Sequence, residues 1–252
     1  MRILITNDDG IYSEGLSALV QAALEHGHEV LVSAPSSQQS AASQRITLSQ
    51  PLIVHKKTFL GENVDAFAVD GTPADCVRIA PQLTEKSIDL CISGINNGEN
   101  AGSAVYYSGT VSAAREAAMH YFPAFAVSIM EGADHEMLMH LANLTIDLID
   151  KCSFDRFPRM CVVNINSPAL PPDELKSLEL CTLSDAYYTD YYEKRINPFG
   201  KTYFWLNSGL TMEEPPEGSD YYYLRLGHPT VTVLGCYNNL NPSADQFLHI
   251  FP

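Results

Sequence analysis

The chain has 252 residues, 15 of them basic and 30 acidic, for a formal net charge of −15. That surplus argues against a protein that clamps a nucleic-acid backbone, and it means a phosphate-bearing substrate needs positive charge supplied locally. No apolar run approaches the ~20 residues of a membrane span, and Met1-Arg2 leads directly into a strand-like segment without a signal-peptide pattern, so a cytoplasmic protein that meets neither a nucleic-acid duplex nor a membrane is expected.

Arg2-Ile3-Leu4-Ile5 is a short apolar run closed by Thr6-Asn7-Asp8-Asp9-Gly10, the pattern of a strand ended by a turn. Apolar residues at consecutive positions suit the middle of a parallel sheet covered on both faces. Asp8 and Asp9 then stand at the carboxyl end of the strand, the edge where open α/β sheets bind ligands. Gly15 to His26 repeats apolar residues at helical spacing (Leu16, Leu19, Val20, Ala23, Leu24) and stops at Gly27. Glu29 to Ala34 predicts a second buried strand, stopped by Pro35, and completes a right-handed βαβ unit. Because Asn7-Asp8-Asp9-Gly10 stands where G-x-G-x-x-G would be, a nicotinamide or flavin dinucleotide is not expected.

Residues 36–45 are small and polar and predict a loop at the carboxyl end of the second strand. Ile46 to Lys56 and Val64 to Val69 predict an edge hairpin turning at Gly61-Glu62-Asn63. Gly71-Thr72-Pro73-Ala74-Asp75 predicts a helix start, with Thr72 as N-cap, Pro73 at the first position and Asp75 closing a capping box, the helix running to Leu83. Ile88 to Ser93 is a third parallel strand, followed by a Gly/Asn-rich stretch over 94–102 that reads as a loop. Ser108-Gly109-Thr110 then opens an alanine-rich helix from Val111 to His120, and a small-residue turn before a helix offers free N–H groups to an anion. Ala124 to Met130 and Arg159 to Ile165 are further strands, separated by an amphipathic helix over Glu136 to Ile149. Beyond Pro171-Pro172 the chain becomes aromatic-rich. Alternation around Tyr203-Phe204-Trp205-Leu206 and Tyr221-Tyr222-Tyr223-Leu224, with Pro215-Pro216-Glu217-Gly218 between, predicts projecting antiparallel hairpins, then a strand at Thr230 to Leu234 and a short helix at Asp245 to Phe251. The expectation is an α/β core over residues 1–172 and a hairpin arm with tail over 173–252, the arm either docking on a partner chain or lying back on its own domain.

Three loops at one sheet edge thus supply Asp8 and Asp9, then serines, then asparagines. Adjacent carboxylates repel, and burial makes the pair costlier; a hard divalent cation, Mg²⁺ or Mn²⁺, relieves this with an all-oxygen ligand set. The plain alternative is a turn with both carboxylates in water. A divalent ion beside an anion cradle at 108–110 is an arrangement for handling a phosphoryl group. No Cys/His cluster points to zinc, and neither a G-x-S-x-G elbow nor a Walker A loop is present. The six cysteines are not spaced as metal-ligand pairs and read as buried free thiols in a reducing compartment.

Taken together the motifs resemble the SurE family. They are Asn7-Asp8-Asp9-Gly10, Ala34-Pro35 with Ser40, Gly71-Thr72-Pro73-Ala74-Asp75-Cys76-Val77, Ser93-Gly94-Ile95-Asn96 through Gly98 and Asn100, and Tyr107-Ser108-Gly109-Thr110-Val111 with Ala113-Ala114. The resemblance implies a Rossmann-like domain with helices on both faces and a smaller arm, in a homodimer or homotetramer. It implies a metal-dependent nucleoside 5′-monophosphate phosphatase, acting also on 3′-monophosphates, with one Mg²⁺ or Mn²⁺ per subunit. By the same resemblance Asp8, Asp9, Ser40 and Asn96 are the metal ligands, with Asp8, Asp9 and Asn96 catalytic. Asn100, Ser108, Gly109 and Thr110 form the phosphate pocket. Other phosphorylated metabolites, short polyphosphate, or non-catalytic nucleotide binding are the alternatives. The chain departs from the family pattern at Ser13-Glu14-Gly15, at Ala41 where a glycine is usual, at Glu116-Ala117, at Asn197-Pro198-Phe199-Gly200 and at Thr232-Val233-Leu234.

Overall fold

The structure is a computed structural model, and it describes residues 1–58, 64–211 and 214–236. In chain order its elements are β1 (Arg2–Thr6), α1 (Glu14–Glu25), β2 (Glu29–Pro35), β3 (Val54–Lys57), β4 (Asp65–Val69), α2 (Pro73–Ile79), β5 (Leu90–Asn97), α3 (Gly109–Met119), β6 (Ala124–Ile129), α4 (His135–Asp150), β7 (Cys161–Ser167), β8 (Glu179–Leu180), β9 (Tyr187–Ile196), β10 (Thr202–Thr211), α5 (Asp220–Arg225) and β11 (Thr230–Gly235). Nine strands form one sheet in the order β3-β4-β2-β1-β5-β6-β7-β11-β8. The six from β4 to β7 are parallel; β3 is antiparallel at one edge, and β11 lies antiparallel to β7 near the other.

β1 lies in the middle because all of its side chains are apolar or sheltered. Ile3 and Ile5 enter the core beneath α1 and α4, Leu4 enters the core beneath α2 and α3, and all three are fully buried. Each such side chain contributes about 1.5–3 kcal/mol relative to exposure. Helix starts follow the expected caps. The Ser13 side chain accepts from Leu16 N, Ser108 from Val111 N, and Thr72 and Asp75 form a reciprocal capping box with Pro73 in the first turn. The chain leaves β1 toward β2 on one side and reaches β5 on the other, so the strand order reverses between β1 and β5.

Four sequence expectations are corrected. β5 does not end at Ser93 but continues to Asn97, with its pairing to β6 interrupted between Ser93 and Asn96 and resumed at Asn96↔Ser128. Gly94 (φ +145°) makes this possible, since a Cβ there would lie 2.3 Å from the Val127 carbonyl oxygen; the Gly94–Ile95 peptide is cis. Composition read these residues as loop, whereas neighbouring backbone keeps them in the sheet. The edge hairpin is shorter than expected, with only Val54–Lys57 pairing to β4. Tyr221 to Leu224 form part of helix α5, not a strand, because buried Asp220 accepts the N–H groups of Tyr221, Ser184 and Gly102 and fixes a turn there. Only Cys76 and Cys91 are fully buried; the other four thiols are partly exposed, and all six are unpaired.

β8 and β11 extend the main sheet, so β9 and β10 alone form the free-standing hairpin. The predicted turn at Gly61-Glu62-Asn63 and the helix at Asp245 to Phe251 lie outside the described residues. Among the described residues no helix is long and apolar enough to cross a membrane.

Candidate active site

The turn after β1 is built on Asn7, which is fully buried. Its Nδ2 donates to Gly10 O (3.0 Å) and to Ser13 Oγ (2.6 Å), and its Oδ1 accepts from Gly10 N (3.1 Å). One side-chain amide therefore closes the turn and ties it to the N-cap of α1. Asp8 and Asp9 are the two residues this tie leaves on the cavity side.

Asp8 is 5% exposed and accepts the Thr110 hydroxyl on Oδ1. It packs against the first turn of α3 so closely that a Cβ on Gly109 would lie 2.7 Å from Asp8 Cβ and 2.8 Å from Oδ2. Burial pushes the Asp8 pKa up to about 6, opposed by the Thr110 hydroxyl and reinforced by the charge of Asp9. Asp9 is also raised by burial, less firmly held, with Gln38 Nε2 at 3.4 Å and Asn97 N at 3.5 Å. Among the described residues no Lys or Arg lines the cavity beside them.

The irregular pairing of β5 brings Asn96 to the same edge, as bulges beside active sites do. Asn96 Nδ2 donates to Gly98 O at 2.6 Å, which leaves the side-chain carbonyl oxygen for a ligand. Ser40 arrives on the loop after β2, which is anchored at both ends. Gln39 N donates to Asp8 O (2.7 Å), Ser43 Oγ to Tyr106 O (2.9 Å), and Thr72 Oγ1 to Arg45 O (2.5 Å). Thr47 then donates through N (2.9 Å) and Oγ1 (2.6 Å) to Asp75. Burial pushes the Asp75 pKa up, but the hydrogen bonds from Thr47 and Thr72 outweigh it and hold the group below the usual carboxylate value. Ala41, where the family pattern has glycine, takes φ +55°, a left-handed conformation that favours glycine.

Asn100 rests on a buried polar network. Its N donates to Asn166 Oδ1 (2.7 Å), its Nδ2 to Ser128 Oγ (2.8 Å), and its carbonyl accepts from Asn164 Nδ2 (2.9 Å) and Asn166 Nδ2 (3.2 Å).

These loops enclose a cavity of about 710 Å³ at the switch between β1 and β5. Six of the sequence-derived residues line it: Asp8, Asp9, Ser40, Asn96, Asn100 and Ser108. Gly109 and Thr110 lie behind Asp8 instead of on the wall. Thr110 is fully buried, with its hydroxyl committed to that carboxylate. Among the described residues no group of three or more His, Cys, Asp or Glu side chains converges for a metal. The donors here are two carboxylates completed by amide and hydroxyl oxygens. Sequence reasoning assigned no role to Asn7, Gln38, Glu99, Asp190 or Leu206. The Asn-x-x-Gly spacing could have suggested the first. Asp190 and Leu206 reach the cavity only because the hairpin folds over it, which no local pattern encodes.

The family profile described as Survival protein SurE matches residues 3–190. Curated relatives include a 5′-nucleotidase SurE from Petrotoga mobilis, 38% identical over 239 residues and covering 94% of each chain. A 5′-nucleotidase SurE from Solidesulfovibrio magneticus is 41% identical over 235 residues, 93% of this chain and 91% of the relative. The crystal structure of the SurE protein from Aquifex aeolicus superposes with a TM-score of 0.81 at 31% identity, covering 100% of this chain and 98% of that one.

Proposed function

Because the chain belongs to the SurE family, we propose that it is a divalent-metal-dependent phosphatase that releases phosphate from nucleoside monophosphates, the 5′ esters foremost. The observation that carries this reading is that Asp8, Asp9, Ser40 and Asn96 line one cavity together with Asn100 and Ser108, the N-cap of α3. The donor set fits a hard cation: it is all oxygen and carries two carboxylates whose pKa values burial raises. Asp8, Asp9, Ser40 and Asn96 would hold Mg²⁺ or Mn²⁺. Such an ion, when bound, supplies charge that neutralises the ester phosphate and acidifies a water.

The remaining chemistry belongs to the chain. Asp8, restrained by Thr110 and by the close approach of Gly109, is the fixed carboxylate. Asp9, more exposed and weakly hydrogen-bonded, orients the attacking water and takes its proton. Asn100, held by Ser128 and Asn166, presents its side chain to the equatorial phosphate oxygens. Ser108 accepts from Val111 N as N-cap and keeps its hydroxyl hydrogen to donate. The positive end of the α3 dipole lies under the same oxygens. Attack by water then cleaves the P–O ester bond, and the alcohol leaves with a proton from solvent.

The deciding experiment is phosphate release from a panel of nucleoside monophosphates, sugar phosphates and short polyphosphate at fixed Mn²⁺, with and without chelator. Chelator-sensitive release from the nucleoside monophosphates is expected. Release from none of them, or release indifferent to chelator, overturns the proposal. The exposed hairpin supports a homodimer or homotetramer, testable by light scattering. Its faces carry Tyr191, Tyr192, Phe204 and Trp205, all more than half exposed.

A further inference from the structure

Four carboxylates line the cavity, Asp8, Asp9, Glu99 and Asp190, and among the described residues no Lys, Arg or His does. The first two are spoken for by the reading above. The other two are not. Glu99 comes from the loop after β5, and Tyr221 Oη donates to its Oε1 at 3.3 Å. Asp190 comes from β9 of the hairpin, opposite Ser208 of β10. Both lie on the arm side of the cavity, so the part of a bound ester that is not its reacting phosphate must share this space with them. In a partly enclosed site, where like charges are screened less than in bulk water, a second anionic group would meet two uncompensated negative charges. Neutral hydroxyls would instead find acceptors.

We propose that Glu99 and Asp190 are specificity-determining residues. They form a charge filter that admits esters whose remainder is uncharged and rich in hydroxyls, such as a nucleoside. It disfavours nucleosides bearing a second phosphoryl group, such as nucleoside diphosphates and 3′,5′-bisphosphates. The proposal rests on the phosphatase reading for its reaction but not for its readout, because the filter acts on binding.

The test compares the Mn²⁺-loaded wild type with Glu99→Gln, Asp190→Asn and the double variant. These substitutions keep side-chain shape and leave Glu99's acceptor for Tyr221 in place. For each protein the ratio of kcat/KM for ADP to that for AMP is measured, and the ratio of their association constants is measured by calorimetry. Each single variant should raise both ratios roughly three-fold and the double variant roughly ten-fold, chiefly through KM. Added NaCl should raise the wild-type ratio while leaving that of the double variant nearly flat. A control with Glu25→Gln and Glu85→Gln, at the opposite edge of the sheet, should leave the ratios where they are. Ratios unchanged within two-fold in the double variant, or an equal rise in the control, overturn the filter. If the wild type releases no phosphate from any monophosphate, the phosphatase reading fails, and the ratio of association constants still decides the filter.

Discussion

Burial at the end of β1 makes Asp8 reluctant to ionise, and its neighbours hold it there regardless. Between about pH 4 and pH 6 the folded chain keeps a proton on Asp8 that the unfolded chain has released. In the presence of chelator its stability therefore falls as pH rises through that window, by an amount on the order of 2–3 kcal/mol. Asp8→Asn keeps an oxygen for the Thr110 hydroxyl and removes the charge. With chelator at pH 7.5 it should melt above the wild type, with the advantage gone at pH 4, while Mn²⁺ stabilises the wild type only and turnover is lost in the variant. Thermal melts at the two pH values check this; a variant less stable than the wild type at pH 7.5 contradicts it. Gly109 is the complementary case. A methyl group there would stand 2.7 Å from Asp8 Cβ and must displace the carboxylate. Gly109→Ala should cost about 1–3 kcal/mol of stability and about 100-fold in kcat/KM, since displacements near 1 Å have that effect on reacting groups. Wild-type kinetics in that variant would mean that Asp8 has room to move.

Among the elements, the loop carrying Ser40 shows most directly how distant parts assemble the site. Its far end is secured by Thr47 on Asp75, the same residue that closes the capping box of α2. Thr47→Val removes the 2.6 Å hydroxyl bond and leaves the cap. Amide hydrogen exchange over residues 37–46 should rise and calorimetric Mn²⁺ affinity should fall several-fold, with a stability loss of about 1.5–3 kcal/mol for a bond to a charged group. Exchange unchanged in the loop would show that Asp75 serves α2 alone. The capping box was legible in the sequence because its signals sit within four residues, β1 because an unbroken apolar run ends at an Asp-Gly turn, and α1 from its helical periodicity. The strands of the parallel core were likewise readable, and with them the edge where three loops meet. The course of β5 past Ser93 was not, because its pairing depends on Val127 and Ser128 across the sheet. Nor was α5: its tyrosines favour strands by propensity, and the helix depends on Asp220 meeting Gly102, 118 residues earlier. The cavity residues Asp190 and Leu206 belong to the same class, since their role exists only after the hairpin has closed over loops far away in sequence.

At the scale of the whole molecule, the hairpin is the conspicuous unpartnered surface. Trp205 is the sole tryptophan of the chain and is 60% exposed on β10, so tryptophan emission excited at the red edge, beyond tyrosine absorption, reports the hairpin alone. If the hairpin packs against a second copy, acrylamide quenching should increase on dilution as light scattering falls to monomer mass. Strong quenching at every concentration would leave the hairpin free of partners. The central position of β1 has a different reach, into biosynthesis. The ribosome makes Asp8 102 residues ahead of Thr110, whose hydroxyl holds it. At about 5–20 residues per second, that separation amounts to about 5–20 seconds of translation. Throughout that interval the nascent polypeptide is catalytically silent: β2 and then β5 emerge to flank β1, but the turn of α3 that holds Asp8 is still to come.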